Sequence, residues 1–218
     1  MVRKPQANLS GSDDIGGRIV AAAQALLADT PWHRVSLADV ALRAEVPLSE
    51  LYRRYPVRPA LMCAVLRAID MKALDQPVET EGSLRERLLE SLMRRLDGLV
   101  PFKEGMRETA RDLRRGHVSA LPGVAMGAIY GNYVLGWYIE AAGIPVQGLT
   151  GLARVKLVSM AFMGALRVWL DEAPEEESAR SMAALDRGLA RIWPLMHVRN
   201  PRAEEEAPPE EGDPQPAT

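Results

Sequence analysis

The sequence predicts an all-α fold in which a small three-helix head precedes a larger helical body. The first observation is compositional: apolar residues make up 47% of the chain but aromatics only 5%. Ala, Leu, Met and Arg dominate, a vocabulary that favours helices over twisted sheets. The second is periodicity, since apolar residues recur at three- and four-residue steps and nowhere alternate. The third is punctuation: proline and glycine fall between the periodic stretches, as Thr30-Pro31, Pro56, Pro101, Pro122 and Pro174.

Residues 1 to 12 carry no period and read as a flexible arm. From Asp13 to Ala28 the stripe Ile15, Ile19, Ala22, Leu26 and Leu27 predicts a first helix, with Asp13 and Asp14 as its acidic caps. Trp32 and Val35 supply an apolar anchor after the Thr30-Pro31 break. Ser36 is placed to cap a second helix over Leu37 to Arg43, Ala44 to Pro47 form a short turn, and a third helix runs from Leu48 to Tyr55. A longer helix follows from Arg58 to Ala73, completing a head over residues 13 to 75.

The stretch Gln76 to Ser83 holds Pro77 and Gly82 and reads as the joint to a body over residues 84 to 199. Leu84, Leu88, Leu89, Leu92, Met93, Leu96 and Leu99 make one apolar face, opposite Arg85, Glu86, Arg87, Glu90, Arg94 and Arg95. A charged helix from Lys103 to Arg115 follows. The nearly uncharged stretch from Gly123 to Ala142 is expected to be buried on most sides, and Leu149 to Asp171 and Glu177 to Met196 complete the body. Residues 200 to 218 are rich in Pro and Glu and are expected to stay disordered as an acidic tail.

Several function classes are excluded or disfavoured by the residues present. The one cysteine, Cys63, allows no intrachain disulfide and no cysteine-based zinc cage, and sits in an apolar run as a small hydrophobe. His33, His117 and His197 lack ligand spacing, so neither metal nor cofactor is expected. No phosphate-binding loop, dinucleotide fingerprint or nucleophile elbow occurs, so the chain does not read as an enzyme. No apolar N-terminal run follows the polar opening, no stretch reaches the length a bilayer demands, and a cytoplasmic protein without membrane contact is expected.

The informative segment is Ser36 to Leu61. Val40, Ala41, Val46 and Leu51 are spaced to pin two short helices across a tight turn, which leaves the outer face of the second free to enter a DNA major groove. Ser36 opens a helix N-terminus, a place that attracts phosphate. Arg34, Arg43, Arg53, Arg54 and Arg58 outnumber Asp39, Glu45 and Glu50 there, although the whole chain carries a formal net charge of −2.

This segment, with Leu51-Tyr52-Arg53-Arg54-Tyr55-Pro56 and then Arg58 and Leu61, resembles the DNA-binding signature of TetR/AcrR-family transcriptional regulators. The resemblance implies a homodimer on double-stranded operator DNA. It assigns Ser36, Tyr52 and Arg58 to backbone phosphates and Leu48, Ser49 and Arg53 to base edges. Arg54 stands where the family often has histidine and would add a contact. Two positions depart from the pattern. Glu45 stands where glycine is common, so a left-handed turn residue there would store roughly 1 kcal/mol of strain. Pro47 replaces the usual polar cap of the recognition helix and removes the capping oxygen.

The resemblance further implies an unknown small-molecule effector held in the body. Met126, Tyr130, Tyr133 and Trp137, mixed with Gly127, Gly131 and Gly136, suit a lipophilic or aromatic ligand, or else a packed core. The broad stripes of the last two helices place Leu152, Phe162, Trp169, Leu185, Leu189 and Trp193 at a dimer interface, with an ordinary core as the alternative. A second resemblance is looser: Ala165 to Asp171 and Met182 to Arg187 are similar to ubiquinone-biosynthesis accessory proteins. That likeness implies lipid or isoprenoid binding, with an interfacial helix from Ser178 to Met196.

Overall fold

The computed structural model describes residues 10–76, 82–173 and 178–197. Among these the regular structure is helical throughout: α1 Ser10–Leu27, α2 Leu37–Arg43, α3 Leu48–Arg54, α4 Arg58–Leu74, α5 Leu84–Leu99, α6 Lys103–Arg114, α7 Leu121–Ala141, α8 Gly148–Asp171 and α9 Ala179–Ile192. Helix α1 begins at Ser10, so Asp13 and Asp14 lie within it and not at its cap. The arm over residues 1–9, most of the joint and the tail from 198 onward lie outside the described residues.

Four helices bring apolar residues together in the head. Ile19 and Ala23 of α1, Val40 and Ala41 of α2, Leu51 of α3 and Leu61 and Val65 of α4 are all buried. Ser36 caps α2, its Oγ accepting from the amides of Ala38 at 3.1 Å and Asp39 at 3.4 Å. The helix ends with the Val46 amide bonded to the Ala41 carbonyl and the Glu45 amide to that of Leu42. That pairing needs a left-handed residue between them. Glu45 takes it, at φ 55°. Pro47 opens α3 without a side-chain cap. Both departures noted in the sequence thus sit where expected, one at each end of the turn.

Helix α4 starts in the head and ends in the body, packing there against α5 and α7. The stripe Leu84, Leu88, Leu92, Leu96 and Leu99 of α5 lies in the interior. Arg95, expected on the polar face, is buried with it: three residues beyond Leu92 and four before Leu99, it shares their side of the helix.

Helix α7 is not buried on most sides. Only Val134, Leu135, Tyr138 and Ile139 reach the interior, while Val124, Ile129, Tyr133 and Trp137 are exposed. The reason is geometric, since α4 and α5 cover one face of a helix apolar all round. Helix α8 lies beside it: the Ser159 hydroxyl donates to Asn132 Oδ1 at 3.1 Å, and Lys156 Nζ to the same oxygen at 3.2 Å. Two stretches, Val118–Ala141 and Gly148–Asp171, are by length and composition apolar enough to cross a membrane. That corrects the expectation that no run reaches such a length.

The interface residues expected on the last two helices divide. Phe162, Trp169, Leu185 and Leu189 are buried inside the single chain, where α8 and α9 pack on each other and α9 packs on α5. They close the core and present nothing to a partner. Leu152 is exposed and Trp193 half-buried. The outward stripe of α8 is instead Leu149, Leu152, Met160 and Met163.

Candidate nucleic-acid interface

Burying Leu51 decides what α3 shows to solvent. With that residue inward, Leu48, Ser49, Tyr52 and Arg53 stand on the opposite face and are exposed, Tyr52 at 67%. These positions, at i, i+1, i+4 and i+5, form one continuous strip on the helix. Ser36 lies half-buried at the N-terminus of α2, its oxygen already engaged with two amides.

The arginines assigned to DNA by resemblance do not act alike. Arg53 points outward and pairs with Glu50. Arg54 turns back toward α1: its Nε donates to Glu50 Oε1 at 3.2 Å, and a Cβ on Gly16 would lie 3.4 Å from its Nη1. Arg58 is likewise committed inside the head. Its Nη2 donates to the carbonyls of Trp32 and Val35, each at 2.8 Å, and its guanidinium lies 5.2 Å from the Trp32 ring centroid. In the chain without DNA both arginines are thus engaged within the head while staying half-buried. Arg54 braces α3 on α1, and Arg58 ties α4 to the 3₁₀ turn Trp32–Arg34, where the Trp32 carbonyl also accepts from the Val35 amide at 3.2 Å.

The same turn holds the head on the body. Trp32 packs so closely on α7 that a Cβ at Gly123 would come within 2.9 Å of its ring. Asp112 of α6, almost fully buried, receives Arg34 Nη2 at 2.6 Å, with His33 Nε2 at 3.1 Å and His117 Nδ1 at 3.5 Å. Burial pushes the Asp112 carboxyl up. The hydrogen bond from His117 and the charge and hydrogen bond of Arg34 outweigh that and hold it below its ordinary range.

In the body, Met126 and Tyr130 are half-buried, but Tyr133 at 77% and Trp137 at 67% exposure face outward and line no interior space. The sequence reading missed a polar cluster in the same region. Tyr138 donates to Asp70 Oδ1 at 2.9 Å, and Arg95 Nη1 lies 3.0 Å from that oxygen. Arg95 lies between aromatic rings, 5.5 Å from the Tyr138 centroid and 5.6 Å from that of Phe162. Asp70 Oδ2 and Arg95 Nε have no hydrogen-bond partner among the described residues. Burial raises the Asp70 carboxyl above its ordinary range, against the pull of Arg95, Tyr138 and Tyr130. It raises the Tyr130 and Tyr138 hydroxyls as well, reinforced by the Asp70 charge. A signal was present: Asp70 is a lone acid in the apolar run of α4, and Arg95 falls in the leucine stripe of α5.

No family model matches the sequence. Uncharacterized HTH-type transcriptional regulators of Mycobacterium bovis and Mycobacterium tuberculosis are 35% identical over 86 residues, 39% of this chain and 45% of theirs. The chain thus spans less than half the length of these curated relatives. Solved structures agree over more of it. A TetR transcriptional regulator from Rhodococcus sp. RHA1 covers 84% of this chain and all of its own length, with TM-score 0.57 and 20% identity. One from Nitrosomonas europaea covers 82% and 98%, with TM-score 0.56 and 22% identity. A TetR variant from Acinetobacter baumannii AYE in complex with minocycline covers 84% and 98%, with TM-score 0.54 and 19% identity.

Proposed function

The chain has the fold of the TetR-type transcriptional regulators, and on that premise we propose that it binds operator DNA sequence-specifically as a homodimeric repressor. The observation that carries this reading is the exposed strip Leu48, Ser49, Tyr52 and Arg53 on a helix pinned from behind by Leu51. Packing and presentation use opposite faces, as entry into a major groove about 12 Å wide requires. Ser36 and Tyr52 meet phosphates, and Leu48, Ser49 and Arg53 meet base edges. Residues 13–75 act as the DNA-binding head and 84–199 as the effector-binding and dimerisation body. Such a protein works in the cytoplasm, with the chromosome.

Two heads on one operator need two-fold pairing. The seam runs over the outward stripe Leu149, Leu152, Met160 and Met163 of α8, flanked by Tyr133 and Trp137 of α7, all exposed apolar side chains of the kind an interface covers. A small lipophilic or aromatic effector enters the body beside Met126 and Tyr130. There Gly127 and Gly131 leave room, since a Cβ on either would meet nothing within 4 Å. Effector binding shifts the heads and lowers operator affinity.

The deciding experiment titrates the full chain against a duplex from upstream of its own gene, with salt and random competitor varied. Preference for that duplex, with affinity falling steeply as salt rises, supports the reading. Binding that shows no preference refutes it. A second reading, a lipid- or isoprenoid-binding accessory protein, draws on the same exposed faces of α7 and α8. Failure to co-sediment with anionic vesicles removes it.

A further inference from the structure

We propose that Glu50 is the residue by which the head discriminates operator from bulk DNA, because it sets the orientation of Arg53. This rests on the regulator reading above. Glu50 is an unexpected residue on a helix meant to face a polyanion. Its carboxylate pairs with Arg53 and Arg54 together, three and four residues on, and its side chain is only 18% exposed while that of Arg53 is 72% exposed. Arg54 is in turn seated over Gly16 of α1. The carboxylate is therefore anchored from behind and holds Arg53 from the side.

A guanidinium presents five N–H donors in a rigid planar fork. Glu50 engages Nη1 of Arg53, which limits rotation of the side chain and aims the remaining donors along the exposed face of α3. A guanine edge, with its O6 and N7 acceptors, rewards a fork held in one orientation. A phosphate does not, since it can be met from many directions. Glu50 also places a negative charge against every phosphate that Arg53 could reach, so non-specific affinity falls while the oriented base contact is kept. Arg53 reads the base, and Glu50 is the positioning residue behind it.

The test compares wild type, Glu50→Gln and Glu45→Gln on an operator duplex selected from a random pool and on a random duplex of equal length. Glu45 is an exposed acid on the turn before α3 without a place in the clamp, so its substitution controls for charge alone. Glu50→Gln is expected to bind random DNA roughly tenfold more tightly, with the slope of log affinity against log salt steeper by about 1. Its operator preference shrinks by a similar factor, and Glu45→Gln moves the ratio far less. Equal effects of the two variants, or an unchanged ratio in a Glu50→Gln protein that melts like wild type, would overturn the proposal alone. A wild type that selects no sequence would remove the regulator reading and this one with it.

Discussion

The hydroxyl of Tyr138 donates to the carboxylate of Asp70 across 2.9 Å of protein interior, joining α7 to the helix that runs from the head into the body. Arg95 lies against the same oxygen. Two opposite charges are thus held away from water between aromatic rings. Neither can be removed without leaving the other uncompensated.

Asp70→Ala is expected to lower stability by about 3 to 5 kcal/mol, because a buried guanidinium loses its partner. Tyr138→Phe, which removes one donor and keeps the ring, is expected to lower it by about 1 to 2 kcal/mol. Urea unfolding followed by far-ultraviolet circular dichroism measures both. A smaller loss in Asp70→Ala than in Tyr138→Phe would contradict the charge-pair account.

Arg58→Ala removes two hydrogen bonds to carbonyls and a stacking contact on Trp32. The head should lose about 2 to 3 kcal/mol. Amide hydrogen exchange localises the effect, faster in α2 and α4 than in α8. If Arg58 instead gripped phosphate, exchange would be unchanged and only DNA affinity would fall.

Glu45 holds a left-handed conformation that glycine adopts without strain. Glu45→Gly is therefore expected to raise stability by roughly 1 kcal/mol while leaving the turn intact. A lowered melting temperature in this variant would show that the side chain supplies something the backbone does not.

The carboxyl of Asp112 is held below its ordinary range, so its contribution is present above the unfolded value of about 3.9 and is lost as pH falls through the lowered folded value. Thermal melts of wild type and Asp112→Asn should differ at pH 7, wild type being the more stable, and converge as the pH is taken down below about 3.9. A constant difference across that range would mean the carboxylate acts by shape alone.

Met160→Glu places a charge at the centre of the outward stripe of α8, and the dimer proposed to form there should dissociate to monomer. Light scattering after gel filtration gives the mass directly. Phe162→Glu serves as contrast: that residue is buried in the single chain, so it should unfold the protein and not merely separate subunits.

The head was legible in the sequence because its signals are local. Ser36 caps, Val40 and Leu51 bury, and Glu45 bends, each within a few residues of the next. What faces a helix from elsewhere in the chain has no such signal. The period of α7 shows that it is apolar and leaves open which side is covered, so it does not tell Tyr133 and Trp137, which face outward, from residues lining a pocket or core. Phe162, Trp169, Leu185 and Leu189 were assigned to a partner chain because nothing in a single stripe distinguishes a neighbouring helix from a second copy. The resemblance assigns Arg54 and Arg58 by their place in the motif, and their partners within the head, Gly16 and the carbonyls of Trp32 and Val35, come from the preceding elements.

Helix α6 is held at both flanks. On one, Asp112 and Glu108 receive Arg34, and Gly105 approaches the carbonyls of Leu27 and Thr30 so closely that a Cβ there would lie within 3.1 Å of the first. On the other, Lys103 donates to the carbonyl of Glu172 at 3.0 Å, and Arg107 reaches that carbonyl and the one of Leu170. Glu172 in turn accepts from the first amides of α9, Arg180 and Ser181. A rod of about 18 Å so fastened is a strut that ties the C-terminal end of α8 to the 3₁₀ turn Trp32–Arg34 of the head. In the dimer proposed above, sequence changes along α6 would accordingly alter the span between the two heads even where they touch neither DNA nor effector.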